Sequence, residues 1–320
     1  MFRKTVSFAA ALTLAASLFT GCSAPSARDG KLSVVCTIFP VYDWAREVIG
    51  DADGVQLTYL MNSGADLHNY QPTADDMIRI SDCDVFIYVG GESDSWVDGA
   101  LSNARNKDMI VIDLMDVLGN ALREEELKEG MEAPDEEEEE EGIAYDEHIW
   151  LSLRNAEDCT AAIACLLSDA DSEHAGTYKD NASSYIDELE ALDADFTELT
   201  ASAKNKTLIF ADRFPFLYFV DDYGLDYYAA FIGCSAESEA SFETIAFLAD
   251  KVDELGVDCV FTIEGSSCTI ADAVITAAKS QDIETVTLNS MQSVTQTDDE
   301  TSSYYGFMQE NYNALKEALN

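Results

Sequence analysis

The chain has 320 residues, 62 of them acidic against 18 basic, for a formal net charge of -44. So acidic a surface repels a phosphate backbone, which excludes electrostatic binding of nucleic acid. Hydrophobic residues nevertheless make up 47% and aromatics 10%, enough for one or two packed cores, so the chain is not a disordered acidic protein.

Residues 1–22 carry a basic start at Arg3 and Lys4, an apolar run from Val6 to Phe19, and Thr20-Gly21 ahead of Cys22. The run is too short for a membrane-spanning helix of about 20 residues, and it reads as a lipoprotein signal peptide with Cys22 as the lipidated residue. Residues 23–30 are then a flexible tether, and the folded part is expected outside the cell membrane, anchored through lipid. Of the eight cysteines no two form a C-x-x-C pair, which excludes a zinc ribbon, a thioredoxin-like motif and a disulfide scaffold. The seven that remain besides Cys22 read mostly as small buried hydrophobes.

Four short β-branched or aromatic runs follow, at 32–36, 55–60, 84–89 and 109–113, separated by amphipathic helical stretches; these read as buried parallel strands. A low-complexity acidic loop at 123–142 interrupts them, its glutamates self-repelling and solvated, either a plain surface loop or a weak collector of cations. Tyr178, Ala182, Tyr185, Leu189, Leu192, Phe196 and Leu199 then recur every three or four residues, the signature of one long amphipathic helix. A second set of strands is expected at 207–211, 227–231, 259–263 and 285–288, with a helix over 242–255. The predicted fold is α/β: two βα lobes with parallel sheets, 31–170 and 204–320, joined by a rigid linker helix at 171–203. In open sheets ligands bind beyond the carboxyl ends of strands, so facing lobes would hold a cleft.

Only three histidines are present. His68 follows the second strand and precedes a helix that Thr73 can cap, and His148 follows the acidic loop in Asp146-Glu147-His148-Ile149-Trp150. Both are loop residues beside acids, as metal ligands would be, whereas His174 at the start of the linker helix reads as a surface side chain. HExxH, GxSxG, GxxxxGK[ST] and GxGxxG are absent.

The run Thr37-Ile38-Phe39-Pro40-Val41-Tyr42-Asp43-Trp44, the His68-x-Tyr70-x-Pro72 segment, Asp146-x-His148-Ile149-Trp150, Tyr218-Phe219 with Tyr223-Gly224-Leu225, and the linker helix together resemble the zinc/manganese solute-binding lipoproteins of bacterial ABC transporters. The resemblance implies an extracytoplasmic carrier, not an enzyme, that captures a divalent transition metal between its lobes and delivers it to an ABC permease, as a monomer anchored to the membrane. It matches His68 and His148 to two ligands of the first lobe. The remaining two family positions fall on Arg213, which stays protonated and cannot ligate, and Asn289, a poor zinc ligand. Glu264 and Asp212 are the replacement carboxylates expected to complete the site, with Cys234 and Cys268 as further options. Histidine nitrogen favours zinc and added carboxylate favours manganese, so Zn2+ is expected first and Mn2+ second. A secreted metal-dependent hydrolase, or an adhesin of the same fold that has lost its metal, are the alternatives.

Overall fold

The computed structural model describes residues 31–132, 144–235, 239–280, 282–295 and 302–319. The expected signal peptide, Cys22 and the tether lie outside the described residues, as does the glutamate run itself. In the first sheet β1 (Leu32–Cys36) lies between β2 (Val55–Tyr59) and β3 (Val85–Tyr88), with β4 (Ile110–Asp113) beyond β3 and every pair parallel. Val34, Val35 and Cys36 are buried on both faces of this central strand, the condition a parallel sheet imposes. The second sheet repeats the pattern: β5 (Thr207–Phe214) lies between β6 (Asp226–Ile232) and β7 (Cys259–Ile263), and β8 (Glu284–Leu288) flanks β7. In both sheets growth reverses beside the first strand, which opens a crevice at the carboxyl ends.

The helices in chain order are α1 (Phe39–Ile49), α2 (Ala74–Asp82), α3 (Val97–Ser102), α4 (Leu114–Leu118), α5 (Leu153–Ala170), α6 (Ala175–Ser202), α7 (Leu217–Tyr223), α8 (Phe242–Leu255), α9 (Thr269–Ala277) and α10 (Tyr304–Leu319). Thr73 caps α2 reciprocally with Asp76, and Ser241 starts α8 by accepting from the Thr244 N–H. The linker α6 is about 42 Å long at 1.5 Å per residue. It buries the seven apolar residues of its periodic stripe, from Tyr178 to Leu199. One hydrophobic cluster runs from β1 through α6 to β8, so the two sheets share a core and do not swing on an open hinge.

Two features go beyond the plain two-lobe layout. The last helix, α10, packs against both lobes: Asn311 is tied to Asn289 after β8, while Tyr304 meets Trp44 of the first lobe edge-on at 5.2 Å and Phe307 meets Phe39 at 5.6 Å. Its first N–H donates to Asp43 Oδ2 at 2.7 Å, and the Tyr304 hydroxyl donates to the Trp150 carbonyl at 2.6 Å. Burial pushes the Asp43 carboxyl up to about 7, against the opposing pull of its partner Arg46.

The second departure is the start of the acidic loop, residues 123–132, expected to be solvated and found laid across the second lobe. Glu124 forms an antiparallel bridge with Tyr145, the Glu132 N–H donates to the Ala230 carbonyl at 2.9 Å, and Lys128 pairs with Asp226 and covers the Tyr227 ring. Gly130 has a φ of +88° and lies against Phe247, where a Cβ would stand 2.1 Å from the ring. Charge composition predicted self-repulsion; these ten residues instead contain Lys128, which pairs with Asp226 of β6, and Gly130, which lies against Phe247 of α8 and accepts from the Thr244 hydroxyl.

Candidate metal centre

His68 sits in a short 3-10 turn, Leu67–Asn69, beyond the carboxyl end of β2. Asp66 starts that turn by accepting the His68 N–H at 3.0 Å. His148 immediately precedes the turn Ile149–Leu151, and Asp146 performs the same service, accepting the His148 N–H at 2.8 Å. Equal local solutions, an aspartate two residues ahead of each histidine, thus aim both rings into the same space. Their Nε2 atoms approach to 3.1 Å.

Each ring is held from behind. His148 Nδ1 lies 2.9 Å from Asp146 Oδ1; a carboxylate accepts, so Nδ1 carries the hydrogen and Nε2 presents a lone pair. His68 Nδ1 lies 2.9 Å from Ser93 Oγ, and a hydroxyl can donate or accept. His68 can therefore give an Nε2 hydrogen to His148, or turn that hydrogen to Ser93 and offer a second lone pair to a cation. Burial, then His148 and Arg213, hold His68 below its usual range, which favours the neutral ring that ligation needs.

Glu147 stands beside them, its Oε1 accepting the Ser93 N–H at 2.7 Å and its Oε2 lying 3.9 Å from His68 Nδ1. Gly91, at a φ of +82°, makes room for it: a Cβ there would stand 2.6 Å from Glu147 Cγ. The second lobe contributes the turn after β6. Gly233 lies against the His148 ring, its ideal Cβ 2.9 Å from Cε1, and the next residue brings a thiol to the pair: ligand atoms of His68, His148 and Cys234 all lie within 4.8 Å of one another. Burial, then the nearby Glu125, Asp146 and Glu147, push the Cys234 thiol well above its usual range.

The structure does not bring Glu264 or Asp212 to the histidines. Glu264 accepts the Ser290 N–H at 2.6 Å, the Ser290 hydroxyl at 2.8 Å and the Gln292 N–H at 3.2 Å, so its carboxylate is spent on the turn after β8. Asp212 accepts the Arg213 N–H at 2.8 Å through Oδ1, and its Oδ2 faces the Ile263 N–H at 3.5 Å. Asn289 is tied to α10 and the following turn through Asn311 and Met291, and Cys268 stands just ahead of α9. His174 lies elsewhere, paired with Asp171 at 2.6 Å.

Arg213 has a different employment. Its Nη2 donates to Asp66 Oδ2 at 2.7 Å and its Nη1 to the Ser235 carbonyl at 3.3 Å, tying the His68 turn to the Cys234 turn. Burial would raise the Asp66 carboxyl, but the guanidinium and His68 together hold the group below its usual value. Tyr218 makes a second tie, donating to the Asp146 carbonyl at 2.7 Å and accepting the Arg123 N–H at 3.2 Å. A cavity of about 200 Å³ opens beside Arg213, between Asn69 of the first lobe and Ser266 and Thr269 of the second.

A family model described as the zinc-uptake complex component A, periplasmic, matches residues 34–318. The chain belongs to that family. It is 30% identical to the zinc-binding lipoprotein AdcA of Streptococcus pneumoniae over 310 residues, 95% of this chain and 59% of that protein. It is 28% identical to the high-affinity zinc uptake system protein ZnuA of Bacillus subtilis, over 93% of this chain and 90% of that one. Among solved structures it is similar to the Zn(II)-bound ZnuA-like domain of Streptococcus pneumoniae AdcA, with a TM-score of 0.70, 28% identity, and coverage of 91% of this chain and 99% of that domain. The chain thus spans about three fifths of the AdcA length. Among the described residues no helix is long and apolar enough to cross a membrane.

Proposed function

We propose that this protein captures a divalent transition metal, zinc before manganese, between its two lobes and hands it to an ABC-type membrane permease. It does so as a monomeric carrier outside the cytoplasm, anchored by lipid at Cys22. The observation that supports this best is the 3.1 Å approach of the His68 and His148 Nε2 atoms, with Ser93 and Asp146 behind the rings. Zinc bonds of about 2.0–2.1 Å at a tetrahedral angle place two nitrogens roughly 3.3 Å apart, so the pair already has the bite of a zinc site. Membership of a zinc-uptake family and the zinc-binding names of the relatives point the same way.

His68 and His148 bind the ion, Asp146 and Ser93 hold the rings, and Arg213 and Tyr218 hold the turns that carry them. Because the ties between the histidine turns and the loops of the second lobe are hydrogen bonds and ion pairs, such as Arg213 with Asp66 and Arg123 with Asp221, a small lobe movement on docking can alter the ligand sphere without unfolding the shared core. The test is thermal unfolding of chelator-stripped protein while Zn2+, Mn2+ and Mg2+ are added in turn. At about 100 times its dissociation constant an ion stabilises the native state by roughly 2.7 kcal/mol, a melting shift of a few degrees. Zinc should produce it in the wild type and not in a His68→Ala, His148→Ala variant. An equal shift in both, or none in either, would overturn the reading.

A further inference from the structure

We propose that Cys234 is a ligand from the second lobe, completing His68 and His148 as a two-nitrogen, one-sulfur centre that takes soft or borderline divalent ions and turns manganese away. The inference rests on the capture reading above and names the chemical class of its cargo.

Three observations carry it. The Cys234 sulfur and the two imidazoles form a group whose ligand atoms lie within 4.8 Å of one another, and no carboxylate among the described residues joins that group. Tetrahedral zinc with nitrogen at about 2.0–2.1 Å and sulfur at about 2.3 Å needs nitrogen and sulfur roughly 3.6 Å apart, a closure well within one side-chain adjustment. The turn bearing the cysteine is also built to stay there. Gly233 lets its backbone approach the His148 ring, the Cys234 N–H donates to Glu125 Oε1 at 3.3 Å, and Arg213 holds the Ser235 carbonyl while gripping the Asp66 that starts the His68 turn. Finally, Glu264 and Asp212 are engaged by their own lobe, Glu264 in the turn after β8 and Asp212 with the Arg213 and Ile263 N–H groups of β5 and β7, and among the described residues the thiol is the second lobe's donor in the histidine group.

On coordination the S–H bond breaks, the sulfur electron pair goes to the metal and the proton leaves to solvent, so each ion bound releases one proton at this residue. Thiolate favours zinc, cadmium and cobalt over manganese, which prefers oxygen. Arg213 is a positioning residue in this scheme.

Cobalt(II) titration of the full-length protein, read by absorption and in parallel by calorimetry, tests it. A sulfur-to-cobalt charge-transfer band should rise to one equivalent in the wild type and in Cys165→Ser and Cys268→Ser. It should vanish in Cys234→Ser, which still binds cobalt through the two histidines but at least about tenfold more weakly, a loss of ~1.4 kcal/mol. Cobalt bound without the band in the wild type, or a band that persists in Cys234→Ser, overturns the cysteine assignment and leaves metal capture standing. Absence of calorimetric binding in the wild type overturns both.

Discussion

Asp146 offers the sharpest test of how the site is held. Both of its contacts with His148, the ring Nδ1 at 2.9 Å and the backbone N–H at 2.8 Å, converge on one oxygen, Oδ1, in a residue only 1% exposed. Asp146→Asn can keep that oxygen in place as an amide carbonyl, so the ring retains its orientation and its Nε2 lone pair, and only the negative charge behind the imidazole is lost. Asp146→Ala removes both bonds and frees the ring to rotate and to exchange its ring hydrogen. Partners behind a ligating histidine typically contribute about 10–100-fold to metal affinity. The amide variant should fall near about tenfold and the alanine variant near about a hundredfold, or ~1.4 and ~2.7 kcal/mol. Competition against a chromophoric chelator measures both. An alanine variant with wild-type zinc affinity, or an amide variant weaker than the alanine one, would refute the orienting role.

Other outcomes follow from the same contacts. Glu264→Ala should destabilise the fold by about 1–3 kcal/mol, because it strands the Ser290 and Gln292 donors, while zinc affinity of the folded protein stays within about threefold; a large affinity loss without destabilisation would restore Glu264 as a ligand. Tyr218→Phe should cost about 1–3 kcal/mol in urea unfolding by leaving the Asp146 carbonyl and Arg123 N–H unpaired. Asp43 is protonated more readily in the folded state, at about 7, than in the unfolded chain at about 3.9, so the stability it confers is full below about pH 4 and is lost as pH rises towards about 7. Asp43→Asn should therefore narrow the stability difference between about pH 5 and about pH 8 by up to ~3 kcal/mol, and an unchanged difference would contradict the burial argument.

Much of the architecture was legible because parallel strands buried on both faces and a helix with a single apolar stripe leave strong periodic signals. The helix over 242–255 and the strands 32–36 and 259–263 match their structural bounds. β5 runs on to Phe214 through an irregular stretch after Phe210, which no periodicity announces. That α10 reaches the first lobe as well as β8 was not legible: its apolar face says that it packs, and only the Asp43 and Trp44 contacts say that the first lobe is one of its partners.

At the site, the scarcity of histidine pointed to His68 and His148. Ser93, which lies in the loop after β3, was recoverable only from the rule that functional groups gather at the carboxyl ends of strands. Glu264 satisfies that rule too, and Asp212 lies inside the longer β5, yet both carboxylates are taken by backbone donors of their own lobe, a competition that only the folded arrangement reveals. Arg213 looked like a lost ligand because its partner, Asp66, is 147 positions away.

The central claim is that His68 and His148 together hold the metal. Anomalous diffraction at the zinc edge from zinc-loaded crystals tests it most directly. The account predicts one dominant peak about 2.0–2.1 Å from both Nε2 atoms. A dominant peak on the acidic residues, or beside only one of the two rings, would contradict it.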